Sequence, residues 1–210
     1  AYFSVPSGLS VFFQALDADG LAIQTMRSVT YVQPGQTLAC VGCHEARTTA
    51  PANAIPLAGT RPPSRLAPGP EGSWPLRYDR LVQPVLDRWC VSCHHPGASD
   101  PEAAALDLTA GRSYDALVAY GSPSLADHVR TRYAEGRSEA GAGAARTSAL
   151  LGLLRAGGGH RGVVLSGDDL NRLVTWMDTY AQRQGSYSGE QEHLLELLRE
   201  RSVDLLAASP

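Results

Sequence analysis

The chain contains no lysine; all 18 of its basic residues are arginine, a bias that reads as genome composition before function. Nor is there a surplus of positive charge, since 21 acidic residues leave a formal net charge of -3 at pH 7. Nucleic-acid binders carry a basic stripe or a strongly basic balance, so no nucleic-acid partner is expected. Long apolar runs are missing as well. No stretch approaches the roughly 20 residues that a membrane-spanning helix needs, so no membrane span is expected. No leader peptide is visible either. The opening Ala1-Tyr2-Phe3-Ser4-Val5-Pro6 reads like the middle of a strand, which points to a fragment or a processed product of a longer precursor. What remains is an ordinary globular composition, 43% hydrophobic over 210 residues, sufficient for a modest core without special staples.

Cysteine is scarce too, and its four positions carry most of the information. They fall as two pairs, Cys40/Cys43 and Cys90/Cys93, each with two residues between. Such spacing has three standard readings: a redox dithiol, a zinc ribbon or haem attachment. The residue after each pair decides among them. It is histidine both times, in Cys40-Val41-Gly42-Cys43-His44 and Cys90-Val91-Ser92-Cys93-His94. A zinc ribbon would want its second pair roughly 15–20 residues after the first, whereas 46 intervene here. Two covalently bound c-type haems are therefore expected. Cys40, Cys43, Cys90 and Cys93 supply the thioethers, and His44 and His94 are the proximal iron ligands. Covalent haem attachment takes place outside the bacterial cytoplasm, so the chain is expected to be exported, to the periplasm or beyond the cell.

The far side of each iron decides what it does. With histidine or methionine there it carries electrons; left open, it can bind and activate small molecules. His95, His128, His160 and His193 are uncommitted. His160 follows Gly157-Gly158-Gly159 between two apolar segments, where its side chain can turn inward or face water. His95, beside Pro96-Gly97, and His193, beside Glu192, read as solvated. His128 sits in the charged run Asp127-His128-Val129-Arg130 and reads as a surface residue more than a ligand. Met177 shares a face with Leu170, Leu173 and Val174 and reads as core. Met26 precedes the first motif closely enough to fold back over it. Met26 or His128 are thus the candidates for the far side of the first haem.

The pattern changes along the chain. Residues 9–16 and 21–26 read as strands about the turn Asp17-Ala18-Asp19-Gly20, and Pro34-Gly35 closes a second turn. Residues 51–75 hold seven prolines and no period, an extended loop able to wrap a flat ligand. From Tyr78 the period turns helical, with Leu81, Val82, Val85, Leu86 and Trp89 on one face leading into Cys90. Pro84 falls near the first turn, where proline is tolerated. Three further helices are predicted: Thr147 to Ala156, stopped by the glycines; one opened by Ser166-Gly167-Asp168-Asp169 and running through Gln182; and one from Ser188 with Gln191, whose leucines at 194, 195, 197, 198, 205 and 206 form a broad apolar face. The expected fold is mainly α with a small N-terminal β hairpin region, much of its loop wrapped around haems. Residues 1–75 would form the β lead-in with the first motif, and 76–210 a helical cytochrome c-like domain with the second.

The runs Val11-Phe12-Phe13-Gln14-Ala15-Leu16-Asp17, Gln24-Thr25-Met26-Arg27-Ser28 and Cys40-Val41-Gly42-Cys43-His44-Glu45 are joined by Leu81-Val82-Gln83-Pro84-Val85-Leu86-Asp87, Leu106-Asp107-Leu108-Thr109 and Leu173-Val174-Thr175-Trp176-Met177-Asp178. In that order they resemble the cytochrome portion of hydrazine synthase alpha-subunit-like proteins. The resemblance implies a bis-histidine second haem whose distal ligand lies in a Gly-His loop before a Leu-x-x-Trp helix. By position that ligand is His160, paired with His94. It does not extend to hydrazine synthesis. The family's active haem uses a tyrosine soon after the first motif, and Glu45-Ala46-Arg47-Thr48-Thr49 offers none. A further cysteine for that enzyme's metal site is absent too.

Electron transfer by a dihaem c-type cytochrome is the expected function, with redox proteins as partners and arginines such as Arg27 pairing with haem propionates. One alternative is an enzyme whose open first haem acts on peroxide or a nitrogen compound. Another is a self-assembling subunit of a haem-lined polymer, docked through the leucine face of the last helix.

Overall fold

Asp17 organises the first turn. Its Oδ1 accepts from the N–H groups of Asp19 and Leu21, and its carbonyl accepts from Gly20, whose φ is +75°. That side-chain turn joins strands β1 (Gln14–Leu16) and β2 (Ala22–Thr25), which pair antiparallel with a register shift between Ala15 and Leu16. Pairing resumes beyond the sheet only at the isolated bridge Val11–Thr30, so the hairpin is shorter than the apolar runs predicted. The second turn closes through Gln36 N–H to the Gln33 carbonyl at 3.0 Å, with Gly35 at φ +73° as a type II turn requires.

The computed structural model describes residues 1–40, 48, 56–134, 139–203 and 206. Beside the two-stranded sheet they are mainly helical. The helix predicted from Tyr78 is two: α1 (Tyr78–Leu81) and α2 (Gln83–Trp89), divided at Val82. Pro84 is the cause. It has no N–H to give the Arg80 carbonyl, and it stands in the first turn of α2. The carbonyl left over at Arg80 accepts instead from the Arg172 guanidinium at 3.1 Å. Within 56–75 the chain makes one short 3-10 turn, Leu57–Thr60, and no α-helix.

Three helices follow that the sequence reading did not mark: α3 (Pro101–Ala105), α4 (Ser113–Ala119) and α5 (Leu125–Ala134). Helices α6 (Ala149–Arg155), α7 (Gly167–Asp178) and α8 (Gly189–Arg201) match the predicted positions. Ser148, Ser166 and Ser188 each accept an N-cap hydrogen bond at their starts. Helix α7 stops at Asp178 rather than Gln182, because Tyr180 and Ala181 turn into the left-handed region.

Leu81, Val82 and Val85 pack with Val174, Trp176 and Met177 at the centre, and Leu21 of the hairpin joins them. Met177 is therefore core, as its helical face predicted. Helix α8 presents no fully buried leucine: Leu195, Leu197 and Leu198 are half-buried and Leu194 is exposed. Its most buried residue is Glu192, which pairs with Arg77 at 2.8 Å. No helix among the described residues is long and apolar enough to cross a membrane.

Candidate haem site

Helix α2 delivers the second motif. The Cys90 N–H still donates to the Leu86 carbonyl, and the N–H groups of Cys93 and His94 both donate to the Cys90 carbonyl, at 3.1 and 2.9 Å. The motif thus continues as one helical turn. Positions i, i+3 and i+4 of such a turn lie on one face, which brings Cys90, Cys93 and His94 together. The turn is fixed from behind by Asp169 near the start of α7. Its carboxylate accepts from the Trp89 indole N–H at 2.8 Å and from Arg88. Burial works against the charge of Asp169, but the bonds from Trp89 and Ser166 and the Arg88 cation hold its carboxyl below the usual range.

Neither cysteine of the turn is in a disulfide. Cys93 is exposed, while Cys90 is half-buried against the core. Burial, with a contribution from Cys93, pushes the Cys90 thiol up to about 11. In an unfolded chain a cysteine ionises near roughly 8.5, so the fold favours the neutral thiol. The haem-free protein is therefore expected to lose stability as pH rises from about 8.5 towards 11. A thioether does not titrate, so the haem-loaded protein should lack this loss. Urea midpoints of the two forms at pH 7 and pH 10 check it; parallel curves would refute the assignment.

His94 is oriented by a helix that follows it. Its Nδ1 lies 3.2 Å from the Ala103 carbonyl in α3. With the proton on Nδ1 for that bond, Nε2 keeps its lone pair for a metal, the second-shell arrangement that metal-bound histidines use. Helix α3 is held in place by Asp100, whose side chain accepts from the Glu102 and Ala103 N–H groups.

His160 is brought in by a tight turn. Arg161 and Gly162 have φ of 52° and 81°, and the Val163 N–H donates to the His160 carbonyl at 2.9 Å. Positive φ at both central residues makes this a type I′ turn, so His160 and Val163 face each other as a bridged pair. Arg161 reaches Asp100 at 3.9 Å, joining the His160 turn to the start of α3.

The His94 and His160 rings end with centroids 5.9 Å apart and planes 26° from parallel. The contact is a stacked one, so the two imidazoles share one site. A cysteine pair on one turn, an imidazole with its Nδ1 engaged and a second imidazole beside it are side chains of the kind that would hold a haem.

The remaining candidates lie elsewhere. Cys40 is exposed at the end of the lead-in, and Cys43 and His44 lie outside the described residues. Met26 is half-buried, its N–H donating to the Phe13 carbonyl. His128 has its Nε2 3.1 Å from the Ala144 carbonyl and 3.2 Å from the Thr147 hydroxyl. His95 accepts from the Gly97 N–H, and His193 is exposed. Arg27 lies over the Tyr133 ring at 4.7 Å and donates to the Arg132 carbonyl. Among the described residues no group of three or more His, Cys, Asp or Glu side chains could hold a bare metal ion. The sequence reading missed Ala103, Asp169 and the Arg161–Asp100 pair. Only Asp100-Pro101 carried a signal, a cap residue followed by a first-turn proline.

Fold and site together define a mainly helical protein with a thiol pair and two facing histidines. Residues 1–45 match the family described as the hydrazine synthase alpha subunit middle domain. The match ends one residue past the first Cys-x-x-Cys-His motif. It relates this stretch of the chain to that family. No curated protein and no solved structure matches the chain.

Proposed function

We propose that the chain is an exported c-type cytochrome with two covalently attached haems that serves in electron transfer. The pairing of His94 with His160 at 5.9 Å supports this most directly. An iron held by two histidines has no open position for a substrate, and its ligands need not change when an electron arrives or leaves. The first motif, Cys40 to His44, adds the second haem on this reading. The relation of residues 1–45 to a haem-related family supports it. Partners are then redox proteins that accept or supply single electrons.

Intact mass and a haem assay on the full chain test the proposal. Two haems per chain are expected, falling to one when Cys40 and Cys43 are both replaced by serine. A count of two that survives the double replacement would overturn the assignment. Carbon monoxide added to the reduced protein reads the coordination. No binding is the result expected of an electron carrier, whereas stoichiometric binding would replace that reading with a catalytic one at the haem left open.

A further inference from the structure

Asp169 bonds to both of the chain segments that carry the histidine pair. It stands in the first turn of α7 and is only 4% exposed. Its Oδ2 accepts from the Trp89 indole N–H at 2.8 Å, and Arg88 donates to its two oxygens at 3.2 and 3.1 Å. Arg88 and Trp89 are the two residues before Cys90, so these bonds grip the turn that carries His94. On its other side, the Asp169 N–H donates to Ser166 Oγ at 3.1 Å. Ser166 closes the short segment that begins at His160. One residue thus joins the chain leading into His94 to the chain leading out of His160.

A first-turn aspartate is common, because the start of a helix favours negative charge. Asp168 already supplies that charge from an exposed position, so the burial of Asp169 calls for another reason. Apolar packing presses α2 and α7 into one core, but it is non-directional and sets no register between them. Charge-assisted hydrogen bonds are directional and do set one. A second polar contact across the pair, Arg161 with Asp100 at 3.9 Å, joins exposed side chains and holds little. We propose that Asp169 is a positioning residue for the second haem: by fixing the Arg88–Trp89 end of α2 to the start of α7, it keeps His160 within reach of the iron that His94 binds. The proposal rests on the bis-histidine reading given above.

Carbon monoxide titration of the reduced full chain, with absorption spectra of the oxidised form, tests this. Asp169→Ala should bind carbon monoxide about tenfold more tightly than the parent, because a loosened His160 competes less well. Its oxidised spectrum should gain a high-spin component. Asp169→Asn keeps an oxygen for the Trp89 indole and should return both readings towards the parent. Trp89→Phe removes the donor but keeps an aromatic body, so it should behave as Asp169→Ala does and carries the test if that variant fails to fold. Asp178→Asn weakens the far end of the same helix and should leave carbon monoxide binding unchanged, which separates positioning from a general loss of stability. Parent-like binding in Asp169→Ala and Trp89→Phe, no recovery in Asp169→Asn, or an equal gain in Asp178→Asn would each overturn the proposal. His160→Ala tells two failures apart. Where it gains carbon monoxide binding and Asp169→Ala does not, the role given to Asp169 is wrong; where neither gains, the bis-histidine reading falls and the proposal with it.

Discussion

Replacing Asp178 with alanine is expected to lower unfolding stability by about 3–5 kcal/mol. Asp178 ends α7 and is 2% exposed. Its Oδ2 accepts from the Ala22 N–H at 3.0 Å and its Oδ1 from the Ala145 N–H at 2.8 Å, both buried. Its own carbonyl accepts from the Gln14 side chain and the Tyr133 hydroxyl. One residue therefore ties the hairpin, α5 and the segment before α6 to the end of α7. Burial pushes its carboxyl above the usual range, while the N–H groups of Ala145 and Ala22 act in the opposite direction. Truncation leaves both N–H groups enclosed without an acceptor, and each costs about 1–3 kcal/mol. Asparagine should recover part of the loss, because its amide oxygen can accept one N–H while its NH₂ confronts the other. Urea unfolding checks both variants. A loss below about 1 kcal/mol for Asp178→Ala would mean that the two N–H groups reach water and that the hairpin is held by its other contacts, such as Gln14 to the Asp178 carbonyl.

Asp178 also marks where the sequence stops being legible. Its partners are 33 and 156 residues away, so nothing near it distinguishes it from any helix-terminal aspartate. The left-handed Tyr180 and Ala181 that end α7 carry no local signal either, being neither glycine nor asparagine. Features whose chemistry is local were readable: the Asp17–Gly20 turn, the Pro34-Gly35 turn, and the serines that open α7 and α8. Helices α3 to α5 are not legible because they bury so little, nothing in α3, Ser113 and Leu117 in α4, and Leu125 and Val129 in α5, that no apolar period emerges. The second motif was legible because Cys90, Cys93 and His94 occupy one helical turn, so spacing alone implies a common face. The partner that orients His94 was not, since it is a backbone carbonyl and no side-chain identity encodes it. Sequence alone left His160 free to face inward or outward. The turn at Arg161 and Gly162 brings it beside His94, while the Nε2 of His128 meets Ala144.

That turn makes Gly159 the residue on which the position of His160 depends most. Its φ is +76°, and an added Cβ would collide with the carbonyl of Val163, the residue bridged to His160. An alanine there pays the left-handed penalty of about 1–2 kcal/mol and must also break the 160–163 turn to relieve the collision. Gly158 offers an internal control. Its φ is +88°, but an added Cβ would meet nothing within 4 Å, so alanine there pays only the backbone penalty. Gly158→Ala should leave His160 beside His94. Gly159→Ala should withdraw His160 from the iron of the second haem. On the bis-histidine reading, the reduced Gly159→Ala protein would then bind one carbon monoxide per chain more than the parent, with a high-spin component in the oxidised spectrum. Gly158→Ala should match the parent in both measurements. Identical spectra for all three proteins would mean that His160 reaches the iron by a route independent of this turn, or that it is no ligand. Carrying His160→Ala alongside separates the two, since only a true ligand produces the same carbon monoxide adduct when its side chain is removed.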